Sequence, residues 1–459
     1  MYAAHTIAAV ATPAGSGGIG IVRLSGPLTA RIAGSVFARS HDNGAWISHH
    51  LYHGRVVGAD GGVLDHALAV FMRAPHSYTG EDVLELHCHG SPAVLRRVLA
   101  RVLSCGARLA DRGEFTKRAF LNGRIDLAQA EAVADLVRAG TPAAADIALQ
   151  QLSGALSQSL QQVRSRLIHV KALLEAQIDF SEEDISVNAT DIAHSIGDCN
   201  SCINRLVDTY KYGRVMREGL RVAIIGKPNV GKSSLLNALL GQDRAIVTPL
   251  AGTTRDSIEE SADFDGIPVV LSDTAGLRDP SHADPVERLG IERTVRTIQE
   301  SDLLLAVLDG SRPLDAEDAC VLTADAGHRA IIVLNKIDLP AGFAEPQLLE
   351  LARGRRTVRV SATEQLGLAE LRHAVVEEMI DGAELERTGP VLTNVRHLDA
   401  LTKACESIAL ALQSIHDGRP PDIVAVDVQD ALDHIGSITG AVTTEDVLDR
   451  IFSEFCIGK

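Results

Sequence analysis

The stretch Gly226-Lys-Pro-Asn-Val-Gly-Lys-Ser233 narrows the fold of this chain more than any other part of it. It follows an apolar run, 220–225, with the length of a buried strand, and it opens a helical run, 233–240. A glycine-rich turn between a strand and a helix lets backbone N–H groups close around a phosphate, and the helix N-terminus adds its partial positive charge. Lys232 is placed to reach the β- and γ-phosphates, and the Ser233 hydroxyl to sit on Mg²⁺. Such a unit belongs to a doubly wound α/β sheet that binds a nucleotide.

Later segments choose the base. Residues 331–338 read as a buried strand running into Asn335-Lys336-Ile-Asp338, the guanine-reading pattern of small GTPases. The Asp338 carboxylate can accept from guanine N1–H and the 2-amino group together. Adenine offers neither donor, so a site built this way discriminates by roughly 10⁴-fold. Ser361-Ala362 resembles the short loop whose backbone touches the guanine carbonyl. Asp273-Thr-Ala-Gly276 fits the Asp-x-x-Gly switch, with Asp273 on Mg²⁺ through water and the Gly276 N–H sensing the γ-phosphate. Gly252-Thr-Thr254-Arg-Asp supplies the other switch, with Thr254 the Mg²⁺ ligand beside Ser233. The predicted GTP contacts are Asn229, Val230, Gly231, Lys232, Ser233 and Ser234 in the loop, then Thr248, Pro249, Leu250, Ala251, Gly252, Thr253 and Thr254 in the first switch. Asp273, Thr274, Ala275 and Gly276 follow in the second, and Asn335, Lys336, Asp338, Ser361 and Ala362 hold the base.

The hydrolytic device is less plain. The position after Asp-x-x-Gly, where a Ras-like enzyme orients water with Gln, is Leu277. A leucine cannot polarise water, so either hydrolysis is very slow or another group replaces the Gln. One replacement is a monovalent cation held by Asn229 and the carbonyls of residues 248–253, with Glu287 positioning water. The other reading of Glu287 is a solvated residue in a charged helix.

The length of 459 residues suggests about three domains. The 44 Lys+Arg stand against 60 Asp+Glu, a net charge of −16, which argues against wholesale nonspecific nucleic-acid binding. Residues 96–124 reverse the balance with Arg96, Arg97, Arg101, Arg108, Arg112, Lys117, Arg118 and Arg124, either a solvated surface or an anion- or RNA-binding face. No apolar run reaches the ~18 residues of a membrane span and no leader opens the chain. Seven scattered cysteines fit a reducing cytosol, so a cytoplasmic protein is expected. Cys199-Asn-Ser-Cys202 reads as two core-facing thiols on a helix. His87-Cys-His89 ends a strand and reads as polar residues beside a turn, a third metal ligand being absent from its spacing.

Residues 1–120 alternate short strands with turns and include a helical run at 92–104, an α+β domain. Residues 121–216 are helical, with one long helix expected from about 143 to 180. Residues 217–380 are the α/β nucleotide unit, and 381–459 return to helices at 394–415, 421–435 and 444–455. Helices on both sides of an intact α/β domain predict that the nucleotide domain is inserted into a helical bundle.

The chain ends Phe-Cys456-Ile-Gly-Lys459. This tail, the phosphate loop, the Gly-Thr-Thr-Arg-Asp switch, Gly17-Gly-Ile-Gly-Ile-Val-Arg23-Leu-Ser-Gly26, Tyr78-Thr-Gly-Glu-Asp-Val-Leu-Glu85-Leu-His-Cys-His-Gly90 and the run 113–131 together resemble the MnmE (TrmE) tRNA-modification GTPases over the whole chain. The resemblance implies an enzyme that works with a FAD flavoprotein, MnmG, in a heterotetramer to install a carboxymethylaminomethyl-type group at C5 of the tRNA wobble uridine. It implies an N-terminal domain that forms a homodimer and binds 5-formyl- or methylene-tetrahydrofolate through Arg23, Glu85, Arg124 and Lys459, with Cys456 nearby as a catalytic group. A nucleophilic Cys456 requires a lowered thiol pKa. It further implies K⁺ dependence, with Asn229, Thr248, Leu250 and Thr253 as K⁺ ligands and Glu287 positioning the attacking water. A switch of the ribosome-assembly type, sharing the phosphate loop, predicts appended RNA-binding domains and no folate pocket. A folate-dependent transferase with a regulatory GTPase predicts independence of any flavoprotein.

Overall fold

Buried and exposed residues alternate along strand Leu51–Val57, so one of its faces joins a core. The computed structural model describes residues 5–40, 44–179, 188–241, 259–273, 294–323, 328–379 and 389–459. Packing divides the chain into two compact units, one running to Ala134 and including Asp433–Lys459, the other Asp135–Leu432.

In the first unit, β1 (Ile7–Val10), β2 (Gly17–Ser25), β3 (Phe37–Arg39), β4 (Leu51–Val57), β5 (Val63–Met72), β6 (Val83–Gly90) and β7 (Arg108–Leu109) form a sheet ordered β3-β4-β5-β6-β2-β1-β7. Its pairs are antiparallel except β1 with β7. In β4, Tyr52, Gly54 and Val56 are buried while Leu51, His53 and Arg55 are exposed, the period of two that a half-covered strand requires. Helices Thr29–Val36 and Pro92–Ser104 cover the inner face with Ile32, Val36, Leu95, Val98 and Val102. The second helix has the bounds that its periodicity predicts, with Pro92 in its first turn, where the missing N–H costs nothing. Helix Glu445–Ser453 packs on helix Glu114–Leu121, and its Phe452 and the following Phe455 are buried.

The second unit is built on β8 (Leu220–Gly226), β9 (Glu259–Phe264), β10 (Ile267–Asp273), β11 (Leu303–Asp309), β12 (Arg329–Asn335) and β13 (Thr357–Arg359), ordered β13-β12-β11-β8-β10-β9. All neighbours are parallel except β9 with β10. Every residue of β11 is buried, as expected of a strand covered on both faces. Leu235 and Leu239 of helix Lys232–Leu240 and Leu371 and Val375 of helix Leu368–Met379 pack on one face. Val321 and Leu322 of helix Ala316–Thr323 and Leu348 of helix Glu345–Ala352 pack on the other. This is a doubly wound sheet, with its ligand-binding edge at the carboxyl ends of the strands.

Helices preceding and following that sheet in sequence pack on each other. Gln151 Nε2 donates to Val391 O (2.7 Å) and Thr393 Oγ1 (3.0 Å), and Lys171 Nζ to Gln429 Oε1 (2.7 Å). The α/β domain is therefore inserted into a helical bundle. The single long helix expected from about 143 is two, Pro142–Leu152 and Ala155–Asp179. The break falls at Gly154, whose φ of 90° is a conformation that glycine alone adopts freely. Of the two thiols expected in the core, only Cys199 is buried, and burial pushes its pKa up to about 11. Cys202 lies at the edge of that face and accepts from Arg205 at 3.1 Å. Among the described residues, no helix is long and apolar enough to cross a membrane.

Candidate functional site

The phosphate loop leaves β8 at Gly226 and enters helix Lys232–Leu240 through Gly231, whose φ is 99°. A Cβ on Gly231 would stand 2.3 Å from Asn335 Nδ2, so the position admits no side chain. Asn229 is also left-handed, with φ 65°. The loop carbonyls are tied from behind. Lys232 Nζ donates to Gly226 O (3.1 Å) and Lys227 O (3.0 Å), Lys336 Nζ to Asn229 O (2.9 Å), and Asn335 Nδ2 to Val230 O (2.9 Å). With those carbonyls bonded, the N–H groups at the start of the helix, including Ser233 and Ser234, are the ones an α-helix leaves for an outside acceptor. Lys232 is buried, and burial lowers its pKa against the opposing charge of Asp273. Asp273, at the end of β10, accepts from Ser233 Oγ at 2.7 Å. Two oxygen ligands of the kind Mg²⁺ takes are thus already side by side.

The residues predicted to read the base gather at the ends of β12 and β13. Asn335 is buried, and besides bonding Val230 it accepts from Ala362 N (3.1 Å). Asp338 Oδ1 accepts from Ser361 Oγ (2.6 Å), which in turn accepts from Glu364 N (3.1 Å). One pair of adjacent residues, Asn335 and Lys336, therefore serves both the base loop and the phosphate loop. Thr248, Pro249, Leu250, Ala251, Gly252, Thr253, Thr254, Thr274, Ala275, Gly276 and Glu287 lie outside the described residues. Two supports were missed in the sequence. Asp309 holds Lys336 Nζ at 2.7 Å, and Lys227 of the loop pairs with Asp315 (2.6 Å) and Asp318 (2.9 Å). The available signal was an acid closing an otherwise apolar strand.

The first unit assembles a different cluster. Arg23 of β2 and Glu85 of β6 are register partners, joined from Nε to Oε1 at 2.8 Å. His87 lies 3.2 Å from the other Glu85 oxygen. The hydrogen bond from His87 lowers the Glu85 pKa; burial acts to raise it, and Arg23 adds to the lowering. The Arg23 guanidinium stands 5.9 Å from the Tyr78 ring and 5.7 Å from the Phe115 ring. A tail this short is ordinarily loose, but this one is docked. Gly113 N donates to Cys456 O (3.4 Å), Phe115 N to Lys459 O (3.2 Å) and Arg23 to Gly458 O (3.3 Å), and Ile457 bridges Arg112. Gly458 has φ 97°, and a Cβ there would lie 2.4 Å from Val10 O. Lys459 is half-buried, and burial with the charge of Arg23 lowers its pKa. Cys456 stays exposed. Arg124 joins none of these hydrogen bonds; it lines an open cleft with Phe120, Asp126, Gln129 and Gly440.

The basic run is largely spent on structure. Arg118 donates to Glu81, Glu114 and His5 O, Arg108 to Glu114, Arg101 to Val57 O and Ser35 O, and Lys117 to Asp449. His89 is held by Asp65 (2.7 Å) and Cys88 is buried, its pKa pushed up to about 12. Among the described residues, no group of three or more His, Cys, Asp or Glu is placed to hold a metal.

The family model described as "GTP-binding protein TrmE N-terminus" matches residues 6–124, and "MnmE helical domain" matches residues 127–456. The protein named tRNA modification GTPase MnmE from Geobacter metallireducens is 47% identical over 100% of both chains. Its namesakes from Geobacter sulfurreducens and Acetivibrio thermocellus are 48% and 43% identical, again over 100% of both. Matches of that extent, on a fold that carries a braced phosphate loop, an Asn335-Lys336-x-Asp338 loop beside it and a docked Cys-Ile-Gly-Lys end, establish that the chain belongs to the MnmE family of tRNA modification GTPases.

Proposed function

We propose that this chain is a cytoplasmic, K⁺- and Mg²⁺-dependent GTP hydrolase that modifies tRNA. With an MnmG-type FAD flavoprotein it would use a one-carbon unit from 5-formyl- or methylene-tetrahydrofolate to add a carboxymethylaminomethyl-type group at C5 of the wobble uridine. It would act as a homodimer, forming a heterotetramer with the flavoprotein. One observation carries this reading: a phosphate loop braced by Asn335 and Lys336 and an Arg23–Glu85 pair met by Gly458 O of the docked tail occur in one chain.

At the nucleotide, Asp338 accepts from the guanine edge, while the loop N–H groups and Lys232 take up phosphate charge. Ser233 and Thr254 would hold Mg²⁺, which neutralises charge developing on the phosphoryl oxygens. The oxygens of Asn229, Thr248, Leu250 and Thr253 would hold K⁺ where an arginine finger acts in other GTPases. Glu287 positions water, since Leu277 has no group to do so. In the first unit, Glu85 suits the amide-like donors of a pterin, and Arg23, Arg124 or Lys459 suits a folate carboxylate. Arg23 has five N–H donors and spends two of them on Glu85 and Gly458, so its fork can still engage a ligand. Cys456 lies beside that pocket.

Hydrolysis compared in K⁺ and Na⁺ at equal ionic strength tests the cation, with at least about tenfold activation by K⁺ expected. Equal slow rates would remove K⁺ from the account. Glu287→Ala should leave GTP affinity near wild type and cut turnover about 10²-fold; normal turnover would return Glu287 to a surface role. Unmodified tRNA should gain the group only with GTP, folate donor and flavoprotein all present.

A further inference from the structure

Asp309 is the one charged residue of β11, whose other six residues, 303–308, are all apolar. It lies in register with Asn335 on β12, and its side chain is 5% exposed. Oδ1 accepts from Ser311 N (3.0 Å) and Ser311 Oγ (2.6 Å), and Oδ2 from Lys336 Nζ (2.7 Å), with Arg312 Nε at 3.5 Å. Burial acts to raise its pKa, but the bonds from Lys336 and Ser311 outweigh burial and hold it below the usual carboxylate range. The turn that follows is fixed as well, with Gly310 N donating to Asn335 O and Gly342 N to Gly310 O. The Lys336 ammonium is held between this carboxylate and Asn229 O of the phosphate loop. Its charge is thereby used inside the protein, and what it offers a nucleotide is its methylene stem. Lys336 and Asn229 both have left-handed backbones, φ 67° and 65°, a geometry that surrounding bonds must maintain.

We propose that Asp309 is a positioning residue for guanine-nucleotide binding: by fixing the Lys336 ammonium it locks the base-reading loop and the phosphate loop into one geometry before the nucleotide arrives. The proposal rests on the nucleotide-site reading above. With the carboxylate gone, the ammonium keeps one acceptor and swings toward water, the lysine stem leaves its place, and the Asn229 peptide loosens. Nucleotide binding must then restore the order, and affinity falls.

Asp309→Asn keeps acceptor capacity for Ser311 and removes the charge; Lys336→Met keeps the stem and removes the ammonium. Each should weaken GDP binding and raise the KM for GTP by about tenfold, and for Asp309→Asn kcat at saturation should stay within about twofold. The double variant should bind GDP no more weakly than Lys336→Met alone, because both act through one contact. Asp309→Glu should recover part of the loss. A purely structural role would lower thermal stability and the folded fraction while leaving the Kd of folded protein unchanged. Unchanged GDP affinity, or additive losses in the double variant, would overturn the proposal. Should Asp309→Asn fail to fold, Asp309→Glu alone and combined with Lys336→Met makes the same comparison. Wild-type protein that binds ADP as well as GDP would sink the nucleotide reading itself; a null result at Asp309 would leave that reading standing.

Discussion

The phosphate loop is eight consecutive residues whose carbonyls are braced by Lys232, Asn335 and Lys336. In the N-terminal cluster the contributors come from positions 23, 85, 113–115 and 456–459, and the Arg23 and Glu85 side chains hold the key positions. The loop depends on backbone conformation, so its identity sits in glycines and in the residues that brace their carbonyls. The pocket depends on strand register, since Arg23 faces Glu85 only because β2 and β6 pair in that alignment, and on a tail that returns across hundreds of residues. A change in the loop should therefore act on one ligand through one contact. A change in the pocket should act through the docking of a whole segment.

The largest effect that could break this contrast belongs to Asp338→Asn. It should lower GTP affinity by roughly 10³-fold or more and shift preference to xanthine nucleotides. Unchanged selectivity, measured by competition of GDP and XDP, would remove Asp338 from the base. The next effect is indirect. Gly458→Ala puts a Cβ against Val10 O at a φ of 97° and should undock the tail. Folate binding should fall about tenfold or more, with GTP hydrolysis of the chain alone within about twofold. Folate affinity left intact would show that the tail is a bystander.

The difference in construction also explains what could be read from the chain before its structure. The phosphate loop, Asn335-Lys336-x-Asp338 and the strand before each are contiguous patterns with a direct physical meaning, and in the fold the two loops are bonded side by side. The helix Pro92–Ser104 was equally legible, because its burial period alone defines it. Arg23 and Glu85 are ordinary residues in ordinary strands, and only likeness to a family singled them out. Their pairing is a property of register, which no local pattern states. Gly154 was missed as a helix break because an isolated glycine is tolerated in helices, and only its left-handed φ makes it a terminus. Asp309 was missed for the opposite reason: a single acid at a strand end has too many possible partners to name one.

A smaller effect sharpens the picture of the first unit. Burial acts to raise the Glu114 pKa, but bonds from Arg108, Asp111 N and Arg118 outweigh it and the net shift is downward. A carboxyl depressed in the folded state stabilises above its unfolded pKa, and that contribution is lost as pH falls through the folded value. Glu114→Gln should cost about 2 kcal/mol at pH 7, discounted because Arg108 is part-exposed. The gap from wild type should narrow below the ordinary glutamate pKa, 4.5. Trp46, the single tryptophan, packs near Phe37, Tyr52 and Phe71, so its fluorescence reports unfolding of this unit in denaturant. A gap that stays constant with pH would mean that the carboxylate charge is not what stabilises.

The most direct test of two differently built sites in one chain is to titrate a single protein preparation with GDP and with 5-formyl-tetrahydrofolate, alongside Arg23→Ala and Lys232→Ala. The account predicts that wild type binds both ligands, that Arg23→Ala loses the folate and keeps GDP within about twofold, and that Lys232→Ala does the reverse. Absence of folate binding by the wild type, or loss of both ligands from either variant, would contradict it.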